Sequence, residues 1–259
     1  MFYNMTMGNS GYQNILDLMG QGIYSKDQLY DLVYRVFPDY SPNSCLWVIG
    51  ELVSRHEITS IGYGLFRKRI LETFQTELSA KNKKILELSK QGFPYSSLCI
   101  YQTSWIDNLL SMPGGPDATI LEIDKENTFS LYYSLHHKFG RNVMVEPKEH
   151  DLEMYFENSS IIVKKMFSKS PVNKDGSLRL EKYVVDLLAD RTIKHFYYGV
   201  DLEPILIGML QKYECNYSTL LTYAKRRKVE EEVRQILRQS LPDSLIQILD
   251  KNTEGVSIL

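Results

Sequence analysis

The stretch from Ser41 to Arg69, SPNSCLWVIGELVSRHEITSIGYGLFRKR, restricts most tightly what this chain can fold into. Ser41 followed by Pro42 is a helix N-cap with proline at the first helical position. Helical spacing puts Leu46, Ile49, Gly50, Leu52 and Val53 on one side as a core-facing stripe. Ser44, Trp47, Glu51, Ser54 and Arg55 fall on or near the other side. The helix stops soon after Arg55, because residues 57–61 are short, alternating and β-branched, the pattern of a strand. Gly62-Tyr63-Gly64 supplies a turn with access to positive φ, and Leu65-Phe66 begin a return strand. That strand ends in three cations, Arg67, Lys68 and Arg69. A helix followed by a hairpin with a basic end is the layout of a winged helix-turn-helix. Its helix enters the major groove while the hairpin follows phosphates. The candidate DNA contacts are Ser44, Trp47, Glu51 and Arg55 on the helix, with Tyr63, Arg67, Lys68 and Arg69 on the hairpin.

Upstream residues complete such a unit. Ile15, Leu16, Leu18 and Met19 mark a short helix that stops near Gly20 and Gly22. Ser25 with Gln28 three residues on is a capping box, and Leu29, Leu32, Val33 and Val36 follow at helical spacing. Phe37-Pro38 ends that helix. Helical units with a hairpin also bind proteins or serve as scaffolds, and charge bears on the choice. Residues 1–70 carry six cations (26, 35, 55, 67, 68, 69) and six acids (17, 27, 31, 39, 51, 57), so the segment is neutral. Phosphate contacts supply most non-specific affinity, and a neutral unit has few to offer. Between 55 and 69, however, Arg55, Arg67, Lys68 and Arg69 face only Glu57. Glu51 would repel phosphate on the groove face unless it accepts from a cytosine amino group.

Beyond the hairpin the period changes twice. Ser79 caps a helix that turns Ile85, Leu86 and Leu88 inward and Lys81, Lys83, Lys84 and Lys90 to water. Strands are expected at 97–102, 118–123, 142–145 and 160–167. A short helix capped by Thr103 runs through Trp105, Ile106, Leu109 and Leu110, and a longer one starts at Asn127 or Thr128 and closes at Gly140. This alternation predicts a small α/β layer with its sheet covered mainly on one side. After a loop at 168–177 the chain reads as helices over 178–188, 202–210, 217–225 and 229–241, then a turn at 245–249 and a frayed polar tail. The fold class expected is α+β, a winged helix-turn-helix at 1–78 followed by an α/β domain with a C-terminal helical part at 79–259.

Composition and motifs remove several function classes. A net charge of −2 argues against a protein that coats nucleic acid without selectivity. Cys45, Cys99 and Cys215 are widely spaced, without any CxxC, and read as buried reduced thiols of a cytoplasmic protein. MFYNMTMGNS lacks the features of a signal peptide, and no apolar run reaches the roughly 18 residues needed to cross a bilayer. The five histidines show no metal-ligand spacing, and neither GxSxG nor GxxxxGK[ST] occurs. Glu122-Ile123-Asp124 has the spacing of a nucleotidyltransferase acid pair but lacks the preceding Gly-Ser turn. Glu146-Pro147-Lys148 after a strand is the acid-spacer-lysine pattern of metal-dependent nucleases, although Pro147 removes a ladder donor. No catalytic residue, metal or cofactor is assigned on this pattern.

Read end to end, the chain resembles the AbiEi-type antitoxins, transcriptional regulators encoded beside nucleotidyltransferase toxins of abortive-infection systems. The likeness rests on LWVIGELVSRHEITSIGYGLFRK, a strand-rich middle, SLRLEKYVVDLLAD, and Tyr223-Ala224-Lys225-Arg226-Arg227 in the C-terminal helices. Leu180-Glu181-Lys182 and Val185-Asp186-Leu187-Leu188 are the matching positions of the third stretch. The resemblance implies repression at an operator in double-stranded DNA and neutralisation of a nucleotidyltransferase-like toxin, without catalysis. From the residues themselves, Glu181 and Lys182 read as first-turn helix charges beside a core-facing run. Lys225, Arg226, Arg227, Lys228 and Arg234, with Arg238, form a basic stripe opposite Glu230, Glu231 and Glu232. Such a stripe suits an acidic partner or the nucleic acid the toxin modifies; solvated helix faces with internal ion pairs are the alternative. A metal-dependent nuclease with a winged-helix targeting domain and a protein-binding adaptor are the competing classes.

Overall fold

The computed structural model describes residues 9–106 and 115–254, which divide into two compact units. The first comprises residues up to Glu72, joined by Glu214–Ser218 and the residues from Gln247 on; the second comprises Thr73–Tyr213 and Thr219–Ile246. Both contain helices, and each sheet belongs to one unit, so the chain is α+β.

The first unit runs α1 (Asn9–Leu18), β1 (Ile23–Ser25), α2 (Lys26–Val36), α3 (Pro42–Ser54), β2 (Ile58–Gly62) and β3 (Leu65–Lys68). Ser25 and Gln28 form the expected capping box, with the Ser25 amide donating to Gln28 Oε1 at 2.7 Å. Ser41 caps α3 by accepting from the Ser44 amide at 3.2 Å. The helix faces the core differently from the expected stripe. Cys45, Val48, Ile49 and Leu52 are buried against Ile15, Met19, Leu29 and Val33, while Leu46 and Gly50 are exposed. Both sets obey helical spacing, and the partner surfaces of α1 and α2 select the first. Glu51 also binds Arg55 at 2.9 Å, which turns this flank toward α1, where the Arg55 guanidinium lies 4.3 Å above the Tyr12 ring.

The hairpin is antiparallel and gains a third strand, giving the order β1-β3-β2. β1 has three residues, too few for its periodicity to register in the sequence. At the hairpin turn Gly62 adopts φ +99°, and an added Cβ would sit 2.6 Å from Ser218. Gly62→Ala combines backbone strain with that clash and should cost about 1–3 kcal/mol. Urea denaturation of the full chain measures it; a stability change under about 0.5 kcal/mol would contradict this packing.

The second unit begins with α4 (Ala80–Gly92), capped by Ser79 as expected. There follow β4 (Leu98–Gln102), β5 (Ala118–Ile123), α5 (Thr128–Phe139), β6 (Val143–Val145), α6 (Glu149–Tyr155) and β7 (Ser160–Lys165). The sheet order is β4-β5-β7-β6, with β4 antiparallel to β5 and the other pairs parallel. Leu109 and Leu110 of the expected short helix lie outside the described residues. Thr103 does not cap such a helix; its hydroxyl donates to Pro116 O at 2.5 Å and accepts from the Ala118 amide at 2.8 Å, tying β4 to β5.

Helices complete the described chain: α7 (Leu180–Ala189), α8 (Arg191–Phe196), α9 (Glu203–Lys212), α10 (Tyr217–Arg227), α11 (Glu230–Ser240) and α12 (Asp243–Glu254). The expectation of a sheet covered mainly on one side is corrected here. Every residue of β5 is buried. One face packs Leu121, Ile123, Ile161 and Val163 against Ile85, Leu86, Leu131 and Leu135 of α4 and α5. On the other, Tyr101 meets Tyr183 of α7 with ring centroids 6.2 Å apart, and Lys182 reaches Glu122. The tail is also more regular than expected, since α12 continues to Glu254. Among the described residues no helix is long and apolar enough to cross a membrane.

Candidate functional site

Two surfaces carry chemistry, one in each unit. In the first, Asn43, Leu46, Trp47, Gly50 and Ser54 form the exposed face of α3, with Trp47 half exposed. Of the helix residues expected to contact DNA, Trp47 stands on this face. Ser44 is half-buried and bound to Ser41 Oγ at 3.0 Å, and Glu51 and Arg55 are paired on the α1 flank. On the hairpin, Tyr63 occupies the turn at φ +55°, and Lys68 and Arg69 are half-buried. Arg67 is taken inward: its Nη2 donates to Glu214 Oε2 at 3.2 Å, and the pair is 13% and 10% exposed.

In the second unit a charged network fills the α7-covered side of the sheet. Lys182 is fully buried between two acids, Glu122 Oε2 at 2.7 Å and Asp186 Oδ2 one turn along α7. Asp186 Oδ1 accepts from Arg227 Nη1 at 2.7 Å and from the Tyr223 hydroxyl at 3.0 Å. Asp190 accepts from Lys164 Nζ at 2.6 and 2.5 Å and caps α8 through the amides of Thr192 and Ile193. Three carboxylates thus oppose Lys164, Lys182 and Arg227, and desolvation is balanced by pairing.

Protonation follows from those contacts. Burial raises the Glu122 carboxyl above its usual range, only partly opposed by Lys182. Burial works against the Lys182 ammonium, but Asp186 and Glu122 outweigh it and hold the group well above the ordinary lysine value. For Asp190 the burial penalty is outweighed by Lys164, so its carboxyl falls below the usual range. Burial, helped by Asp186, pushes the Tyr223 phenol up to about 12.

This network forms one wall of an open cavity of about 810 Å³. Glu122, Lys164, Asp190, Thr192 and Arg227 line its inner part; Glu146, Lys148, His150, Lys165, Phe167 and Arg191 also line it. Lys148, Lys165 and Arg191 are exposed and, among the described residues, form no ion pair. The structure therefore brings Glu122, Glu146 and Lys148 to one cavity, as an acid-lysine site requires. Yet Lys182 pairs with Glu122, Lys164 pairs with Asp190, and Glu146 Oε1 accepts from the Lys165 amide at 2.5 Å. Among the described residues no group of three or more His, Cys, Asp or Glu is arranged to hold a metal ion.

Several of these residues depart from the sequence expectation. Glu181 and Lys182 stand in the first turn of α7 as expected, and both are buried there. Their signal is the four-residue spacing of Lys182, Asp186 and Asp190 within an otherwise apolar run, which places them on one helix face. The basic stripe divides. Lys225, Arg226 and Lys228 are exposed, whereas Arg227 joins the buried network and Arg234 binds Glu230 at 2.8 Å. Arg238, exposed, lies 3.4 Å from Glu231.

An α+β protein with a helix–hairpin unit and a mixed-sheet unit holding a polar cavity is the class these features define. By sequence, residues 44–243 match the family of unknown function DUF6577, and the chain belongs to that family. No curated protein matches it. A crystal structure of the RV2827C protein from Mycobacterium tuberculosis is similar at 11% identity, covering 90% of this chain and 82% of that one, with a TM-score of 0.30. At that score the similarity supports no conclusion about fold or function.

Proposed function

We propose that the chain is a DNA-binding transcription regulator whose first unit is a winged helix-turn-helix. The observation that carries this reading is the element order α1-β1-α2-α3-β2-β3 with sheet order β1-β3-β2, which leaves one face of α3 open beside the hairpin. A groove-reading helix needs an uncovered face, and the hairpin supplies phosphate contacts next to it. Trp47, Tyr63, Lys68 and Arg69 are the contacts the geometry favours. Arg55, Glu51 and Ser44 act from the flank.

The test is fluorescence anisotropy with duplex DNA from upstream of the chain's own reading frame, against a scrambled duplex. Trp47→Ala should weaken specific binding at least about tenfold, roughly 1.4 kcal/mol, with an unchanged circular dichroism spectrum. Replacing Lys68 and Arg69 by Ala should lower the salt slope by about 0.9 for each phosphate no longer neutralised. Equal affinity for both duplexes, or none at about 50 mM salt, would sink the regulator reading and favour the adaptor.

The antitoxin activity is part of the same proposal. Lys225, Arg226 and Lys228 project from the end of α10 and the turn after it, and suit an acidic toxin surface or the nucleic acid on which a nucleotidyltransferase acts. Co-expression with a neighbouring toxin should rescue growth, and Lys225→Glu with Arg226→Glu should abolish the rescue. Rescue that survives both charge reversals would move the interaction elsewhere.

A further inference from the structure

The cavity of the second unit combines features that the DNA-binding proposal does not use. Its volume of about 810 Å³ lies within the range of small-molecule sites, about 300–1,000 Å³. Lys148, Lys165 and Arg191 line it without an ion pair among the described residues, so their charge is available to an anion. Farther in, Glu122 is 3% exposed and its Oε2 lies 2.7 Å from the Lys182 ammonium. Phe167 is 40% exposed on the same wall, with the Arg227 guanidinium 5.0 Å from its ring centroid. A simple anion would satisfy the cations and leave Phe167 without a role. A sugar alone would leave three unpaired cations. A molecule with phosphates at one end and a flat aromatic ring at the other meets both demands.

We propose that this cavity binds a nucleoside phosphate. Lys148, Lys165 and Arg191 hold the phosphates, and Phe167 stacks on the base. Arg is suited to the phosphate by its forked donors, and lysines add point charge. Base-on-aromatic stacking tolerates every base, because each has a π-face to offer the ring. Lys164, Lys182 and Arg227 are committed to Asp190, Glu122 and Asp186 and fix the inner wall rather than the ligand.

Titration calorimetry of the full chain with ATP, GTP, CTP and UTP tests the assignment, with inorganic tripolyphosphate, the unphosphorylated nucleosides and a single-stranded oligonucleotide as controls. At least one nucleotide should bind with Kd below about 1 mM, a free energy beyond about −4 kcal/mol. Lys165→Ala with Arg191→Ala, both exposed positions, should weaken it at least tenfold with unchanged melting temperature. Phe167→Ala should weaken nucleotides at least fivefold and leave tripolyphosphate unchanged. No nucleotide binding, or binding indifferent to the Lys165/Arg191 change, would overturn the site. Tripolyphosphate binding as tightly as the best nucleotide would overturn the nucleoside half of the proposal. An oligonucleotide that binds far more tightly and displaces every nucleotide would replace it with a nucleic-acid contact. None of these results depends on whether the first unit binds DNA.

Discussion

Lys182→Met should lower the melting temperature of the full chain by roughly 6–20 °C. Removing one partner of a buried ion pair costs about 3–5 kcal/mol, and each kcal/mol shifts the transition of a protein of this size by about 2–4 °C. Lys182 is the common partner of Glu122 and Asp186, so removing it leaves two acids facing each other in a desolvated interior. Methionine keeps most of the volume, which restricts the effect to charge. The sign of the pH dependence follows from Glu122. Burial already raises its folded pKa above the ordinary carboxylate value, and removing Lys182 raises it further. A raised folded pKa gives stability that is present at low pH and lost as pH rises through that value. The deficit of Lys182→Met should therefore narrow as pH falls from about 7.5 to about 5. A second change, Glu122→Gln, should recover part of the stability at about pH 7.5, because one stranded charge is gone. A deficit that is independent of pH and unaffected by Glu122→Gln would mean that packing, not charge, sets the cost.

That network shows where the sequence stops being informative. Ser25, Ser41 and Ser79 announce their helices because a cap is an interaction within one turn of chain. The strands of the second unit announce themselves by composition, and β5 and β7 fall where expected. The face of α3 is harder. Both Cys45-Val48 and Leu46-Gly50 lie at helical spacing with Ile49, and only the surfaces of α1 and α2 decide which turns inward. The strand β1 and the helices α6 and α8 are too short for a period to emerge. Charges mislead most. Lys164, Lys182, Asp186 and Asp190 come from β7, α7 and the cap of α8, and nothing local marks them as partners across those elements. Glu146 and Lys148 are visible as a motif, but the cavity around them is a property of the assembled sheet.

Arg67→Met should destabilise the first unit by about 3–5 kcal/mol yet leave the salt dependence of DNA binding unchanged. From sequence Arg67 belongs with Lys68 and Arg69 as one phosphate-facing group. In the structure β3 turns it inward to Glu214, and the two side chains are almost wholly removed from solvent. Glu214 in turn accepts from the Leu71 amide at 3.1 Å, and its own amide donates to Glu72 O at 2.8 Å. The ion pair therefore anchors residues 214–218 to the end of the hairpin. Without Arg67 the Glu214 carboxylate keeps one amide donor but has no counter-charge, which is the costly way to break a buried pair. Glu214→Gln in the same chain should return part of that stability, since a neutral amide can stay buried beside methionine at lower cost. Binding is compared at a temperature where every variant is folded. There, log Kd against log salt should keep the parent slope in Arg67→Met and become shallower only when Lys68 and Arg69 are replaced. A shallower slope with undiminished stability in Arg67→Met would place Arg67 on the phosphates and show that its pairing with Glu214 opens when DNA binds.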